Sequence, residues 1–121
     1  GRNILLIGLA AIWCYTNSIQ EIAIGSLSAN PFPDATRKFF IEYAKLLSDA
    51  LTYPISISAP YRGQRKDMLI KKFAHLPLQL TFTCIFPISG LHCGSCNKCS
   101  ERKLAFQNSG CEDLTVYYLS N

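Results

Sequence analysis

The stretch Asn3 to Ser26 reads NILLIGLAAIWCYTNSIQEIAIGS. Its first part, Asn3 to Asn17, is apolar nearly all round, which predicts a helix buried on several sides. Its last part, Glu21 to Ser26, is a short apolar run that ends at Gly25 and predicts a strand. An apolar helix feeding a short apolar strand is a unit of a parallel α/β sheet. The apolar run from Ile4 to Tyr15 is too short to cross a bilayer, which takes about 20 residues. No small-residue cleavage pattern of a secretory signal follows it. It therefore reads as a core helix, and a cytoplasmic protein with no membrane partner is expected.

The pattern repeats downstream. Ser26 to Pro33 is a loop, marked by Asn30-Pro31 and Phe32-Pro33. Asp34 looks like the N-cap of a helix over Ala35 to Leu51, with Ile41, Ala44, Leu47 and Leu51 on one face. Pro54 opens a second strand, Ile55 to Ala59, closed by Pro60. A basic loop (Tyr61 to Arg65), a short helix (Asp67 to Ala74) and an extended run with alternating Leu80, Phe82 and Cys84 follow. Ser100 to Asn108 is a last full helix, stopped near Gly110, and Asp113 to Leu119 would add a turn or two. Two parallel strands cannot bury both faces alone. The sheet is expected to be completed by residues outside this chain or by another chain. The opening Gly1 and the single methionine, Met68, point to a processed or partial chain.

Composition narrows the class. The chain has 121 residues, 49% of them hydrophobic and 17% charged, which excludes wholesale disorder. Six Pro and seven Gly exclude a collagen-like chain. A net charge of +4 favours anionic ligands only weakly.

The cysteines carry the sharpest signal. Cys84, Cys93, Cys96 and Cys99 are clustered, with eight residues and then two and two between them. A disulfide framework scatters its cysteines to close large loops, whereas two-residue gaps let a tight turn aim successive sulfurs at one ion. Four thiolates are a closed, structural zinc set. Zinc is the expected occupant, ahead of an iron–sulfur cluster, a disulfide or free thiols. His92 is a competing ligand or a neighbour of the site. Cys14 reads as core and Cys111 as a loop thiol. Lys98, Arg102 and Lys103 beside the knuckle suggest either RNA contact or, preferred here, the solvated face of the following helix. His75 reads as a polar helix end.

These residues resemble the 7-cyano-7-deazaguanine synthase (QueC or ExsB-like) family of the PP-loop ATP pyrophosphatases. Gly1-Arg2-Asn3 matches the family's opening of a buried helix, and Phe32-Pro33-Asp34 its Tyr-Pro-Asp loop. Lys66 matches its lysine before a short helix. Thr81-Phe82-Thr83-Cys84 matches the segment leading into the zinc site, and Cys93, Cys96 and Cys99 follow at the family spacing. Arg102 and Ala105-Phe106 continue the match. The chain departs at Thr36, where the family has Arg, and at Met68, where it has Glu. The group's Ser-Gly-Gly-x-Asp-Ser phosphate loop is not in this sequence, so the resemblance is to a C-terminal half.

The resemblance implies the C-terminal part of a Rossmann-like parallel sheet (adenine nucleotide alpha hydrolase-like) with a four-cysteine zinc knuckle. It divides the chain into a partial nucleotide-binding-type region over 1–80 and a knuckle with its helix over 81–121. It implies a ligase of queuosine-type 7-deazapurine biosynthesis. Such an enzyme uses ATP to activate a carboxylate, adds ammonia and forms a nitrile. ATP and Mg2+ are expected only with the N-terminal half. Substrate or nucleotide contacts are expected from Arg2, Asn3, Phe32, Asp34, Arg65 and Lys66; no catalytic residue is assigned. Expected partners are the deazapurine, ATP and ammonia, with a homodimer or a complementing N-terminal half and no nucleic acid. The alternatives are a zinc-knuckle module that binds RNA or protein, and a PP-loop relative acting in tRNA thiolation or amide formation.

Overall fold

A computed structural model describes residues 1–118. The chain forms two compact units, Gly1–Gln64 and Arg65–Asn121.

The first unit holds α1 (Arg2–Thr16), β1 (Glu21–Ala23), α2 (Arg37–Leu51) and β2 (Ser56–Ser58). The strands pair in parallel, with Ile22 opposite Ile57. The expected parallel α/β order is thus present, with strands shorter than the apolar runs. Alternate residues of a strand face opposite sides of the sheet. Ile22 is buried while Glu21 and Ala23 are exposed, so one face is covered and the other is bare. The core is Ile7, Ala11, Cys14, Ile22, Ala35, Phe40 and Ile55, which places Cys14 where the sequence suggested.

Three expectations fail here. The helix α1 buries one stripe, Ile7, Ala11 and Cys14, at helical spacing. Leu5 is 70% exposed, Leu9 68% and Trp13 59%. A two-stranded sheet and one neighbouring helix have room for a single face of it. Ile41 points outward, and the inward face of α2 is carried by Phe40, with Tyr43, Leu47 and Leu51 partly buried. Asp34 does not cap α2. It lies in a 3-10 turn, Pro33–Ala35, and Thr36 is the cap, its hydroxyl accepting from Phe39 N–H at 3.1 Å.

Gly8 has a local reason. A Cβ there would lie 3.0 Å from the Tyr43 hydroxyl, which donates to the Ile4 carbonyl at 2.9 Å. The bare backbone lets α2 pin the first turns of α1.

The second unit holds α3 (Lys66–Lys72), a 3-10 turn at Leu78–Leu80 and α4 (Asn97–Ser109). The run from Leu78 to Cys84 is not a strand. Leu80 N–H bonds back to Pro77 O and the Thr81 hydroxyl to Leu78 O, and no partner strand lies alongside among the described residues. Ile88 and Leu91 form a two-residue hairpin around Ser89 and Gly90, both with positive φ (50° and 77°), as a primed turn requires. Gly110, φ 72°, ends α4 as expected. Residues 113–118 add no helical turn. Among them, Tyr117 pairs with His92 in a parallel bridge. Leu119 lies outside the described residues.

Candidate functional site

The knuckle is built from three short pieces. Cys84 sits on irregular backbone after the 3-10 turn. Cys93 and Cys96 flank a turn at Gly94, φ 83°. Cys99 lies in the first turn of α4 and is fully buried. Contrary to expectation, α4 starts before Cys99 rather than after it. Its N-cap is Cys96, whose sulfur accepts from Cys99 N–H at 3.4 Å. One sulfur thus both closes the helix start and faces the cluster.

All four sulfurs lie within 4.8 Å of one another. Cys84 and Cys96 are 3.9 Å apart, Cys93 and Cys99 3.9 Å, and Cys96 and Cys99 3.5 Å. A tetrahedron with metal–sulfur bonds of about 2.3 Å has edges of about 3.8 Å. A disulfide would need about 2.05 Å, and all six cysteines are free. The donors therefore fit a tetrahedral four-sulfur site that can hold a metal ion.

The backbone prepares them for charge. Cys84 sulfur accepts from Phe86 and Cys93 N–H at 3.4 and 3.3 Å, and Cys93 sulfur from Cys96 N–H at 3.3 Å. The N–H groups of Ser95 and Cys96 pull the Cys93 thiol down to about 6. The Ile85 N–H lowers Cys96. Burial pushes Cys99 up to about 12, and a cation beside it would favour the thiolate.

His92 is not among the clustered ligand atoms. It is buried, and its Nε2 accepts from Thr83 N–H at 3.1 Å. Burial holds its imidazole below the usual value, and the nearby Arg102 cation adds to this. Arg102 corrects the expectation of a solvated basic face. It is 5% exposed and donates to Thr115 Oγ1, Thr81 Oγ1 and Leu78 O at 2.8, 2.9 and 2.8 Å. Lys98 pairs with Glu101 at 2.8 Å, and Lys103 donates to Gly94 O at 3.0 Å. The three cations do not form a shared open patch. A helix-face reading of Ser100 to Asn108 could not find Arg102 buried, because its partners lie 13 to 24 residues away.

Four of the six expected ligand contacts meet in the first unit. Arg2, Asn3, Phe32 and Asp34, with Gly1 and Asn30, line a pocket of about 190 Å3. Asp34 Oδ2 accepts from Asn3 N–H at 2.9 Å and lies 3.1 Å from the Gly1 nitrogen. Asp34 therefore serves the start of α1, where the helix dipole favours negative charge, and not the start of α2. Asn30 was not foreseen as a lining residue. Its side chain accepts from Phe32 N–H at 3.1 Å and so shapes the loop; the Asn-Pro pair was the available signal.

Arg65 and Lys66 belong to the second unit and are engaged locally. Arg65 pairs with Asp67 at 2.7 Å, and Lys66 with Glu101 at 3.4 Å. Cys111 is half-buried and lines a separate pocket of about 320 Å3 with Phe106 and Leu114. His75 is exposed beyond α3.

A parallel α/β unit and four cysteines placed to hold a metal ion together define a mixed α/β protein with a possible metal centre. Comparison with known proteins agrees. The family model described as queuosine biosynthesis protein QueC matches residues 1–110, and the chain belongs to that family, which has a PP-loop Rossmann-like fold. The 7-cyano-7-deazaguanine synthase of Methanocaldococcus jannaschii is 30% identical over 96% of this chain and 55% of its own length. That of Methanopyrus kandleri is 31% identical over 96% and 57%. A 7-cyano-7-deazaguanine synthase 1 of Desulfitobacterium hafniense is 32% identical over 88% and 48%. The chain spans about half the length of the curated relatives it matches. No helix among the described residues is long and apolar enough to cross a membrane.

Proposed function

We propose that this chain is the zinc-bearing C-terminal part of an ATP-dependent 7-cyano-7-deazaguanine synthase. Family membership carries the reading, and the four-sulfur cluster supports it. Zinc held by Cys84, Cys93, Cys96 and Cys99 would be structural, since four thiolates leave no open position for substrate. The reaction would activate a 7-carboxy-7-deazaguanine as an acyl adenylate, add ammonia to give the amide, and activate the amide so that it loses its oxygen as the nitrile. ATP and Mg2+ would be held with an N-terminal half, and the setting would be the cytoplasm.

The pocket at the start of α1 supplies the substrate side of this reading. Phe32 offers a flat apolar face to a deazapurine. The Asn3 N–H and the Gly1 nitrogen both meet the Asp34 carboxylate at Oδ2, and the Asn3 side-chain amide donates to the Asp34 backbone carbonyl, which leaves Oδ1 to accept from a ring N–H edge. Arg2 and the Asn3 side chain polarise the rim. Lys66, whose side chain is 42% exposed in its 3.4 Å pair with Glu101, would turn to phosphate at little cost, because exposed pairs hold weakly, whereas Arg65 would first give up a bidentate pair with the largely covered Asp67 carboxylate. In this division, residues 1–80 bind ligands and residues 81–121 hold the metal.

The test is complementation. The chain is mixed with the N-terminal half of the Methanocaldococcus jannaschii relative and given the carboxylate, ATP, Mg2+ and ammonium. The nitrile is followed by mass. Product is expected only from the mixture, and Phe32→Ala or Asp34→Ala should depress it at least tenfold. If the mixture is inert while the chain alone binds RNA with a steep salt dependence, the binding-module alternative replaces the synthase.

A further inference from the structure

Three of the four sulfurs are local to one another, and Cys84 is not. Cys93, Cys96 and Cys99 lie on one turn and the helix start that follows. Cys84 comes from backbone that is neither helix nor strand, so regular structure does not fix it. Two buried side chains that are not ligands do. Arg102 lies one helical turn after Cys99. Its guanidinium binds Thr81 and Leu78, just before Cys84, at 2.9 and 2.8 Å, and Thr115 at 2.8 Å. His92 lies next to Cys93. It accepts from the N–H of Thr83, the neighbour of Cys84, at 3.1 Å, and its ring packs 4.3 Å from that of Phe82.

We propose that Arg102 and His92 are positioning residues for the metal: as the unit folds around the ion, they hold residues 78–83 against the knuckle and so deliver Cys84 as the fourth ligand. This rests on the four-thiolate reading above and adds how the fourth ligand is delivered. A buried guanidinium is an expensive way to fill space, since an apolar side chain of similar volume often does it at less cost. What it does that an apolar chain cannot is tie two separate segments, 78–81 and Thr115, to α4 at hydrogen-bond precision. Both ties reach the Cys84 segment from positions beside other ligands. Outer groups of this kind typically change metal affinity about 10–100-fold.

The experiment loads the whole chain with Co2+ under reducing conditions and reads the thiolate-to-cobalt charge-transfer band, with affinity from competition against a chelator. Wild type should show the four-thiolate band. Arg102→Gln should lower the band by about a quarter, from four thiolates towards three, and weaken affinity about 10–100-fold. Thr81→Val, which removes one acceptor and leaves α4 untouched, should act in the same direction and keeps the test valid if Arg102→Gln does not fold. In a Cys84→Ser background, Arg102→Gln should cost no further affinity, because its effect runs through Cys84. The inference alone is overturned if wild type shows four thiolates and both variants leave band and affinity unchanged. The same holds if the Arg102→Gln loss persists undiminished in the Cys84→Ser background. A wild-type chain that takes up no cobalt overturns the metal reading and the inference with it.

Discussion

Removing the metal should unfold the second unit and spare the first. Apart from Cys84, Cys93 and Cys99, the buried apolar residues of the second unit are Ala105 and Phe106. Burying a phenylalanine contributes about 1.5–3 kcal/mol. Ordering backbone costs about 1–2 kcal/mol per residue, and α4 alone orders 13 residues. Binding of structural zinc supplies about 10–16 kcal/mol in small zinc peptides, which is the scale this unit needs. The first unit has seven buried core residues and no metal ligands. The assay is chelation under reducing conditions, with metal loss verified by mass. Helical ellipticity should fall by about two-fifths, the share that α3 and α4 hold of the four helices. Amide protection should vanish in peptides covering 84–109 and persist around Ile7 to Cys14 and at Phe40. A metal-free chain that keeps full ellipticity and protection in α4 would refute the reasoning.

Thr36→Ala should cost about 1 kcal/mol in urea unfolding, because it removes the α2 cap, while Val at Asp34 should leave α2 capped and loosen the start of α1 instead, as read by amide exchange. Ser89→Asn should raise thermal stability by about 0.5 kcal/mol, since asparagine accepts the positive φ that serine holds at a cost. The imidazole of His92 titrates below its unfolded value. Its contribution to stability is therefore whole above about pH 6.5 and is lost as pH falls through the lower folded value. His92→Phe should be less stable at neutral pH but lose less on acidification, as denaturant melts at matched pH values would show.

Much of this was legible from residue order. The helix–strand alternation from Asn3 to Ala59 has a period that survives in isolation, and the two-residue cysteine gaps have one physical use. What could not be read depends on distant partners. Asp34 has the chemistry of a cap, and only the approach of Asn3, 31 residues away, decides which helix it serves. Arg102 looks like surface on a helical wheel until Thr81 and Thr115 close over it. The alternation of Leu80, Phe82 and Cys84 imitates a strand, but a strand needs a neighbour to pair with, and residues 78–81 bond back on themselves instead. The outward Leu5, Leu9 and Trp13 show the converse: apolar composition says what a face would prefer, not what is there to meet it.

The hairpin at Ser89-Gly90 bears on the order in which the site assembles. Its paired bonds join Ile88 and Leu91 at 3.1 and 2.9 Å, midway between Cys84 and Cys93. Hairpins of this kind close in about 1–10 μs, with no help from an ion. Each time this one closes, the search that would bring Cys84 to Cys93 shrinks from a floppy excursion to two short arms. Closure this fast keeps ahead of a dilute ion, so loading should be timed by arrival of the metal and not by the search of the chain.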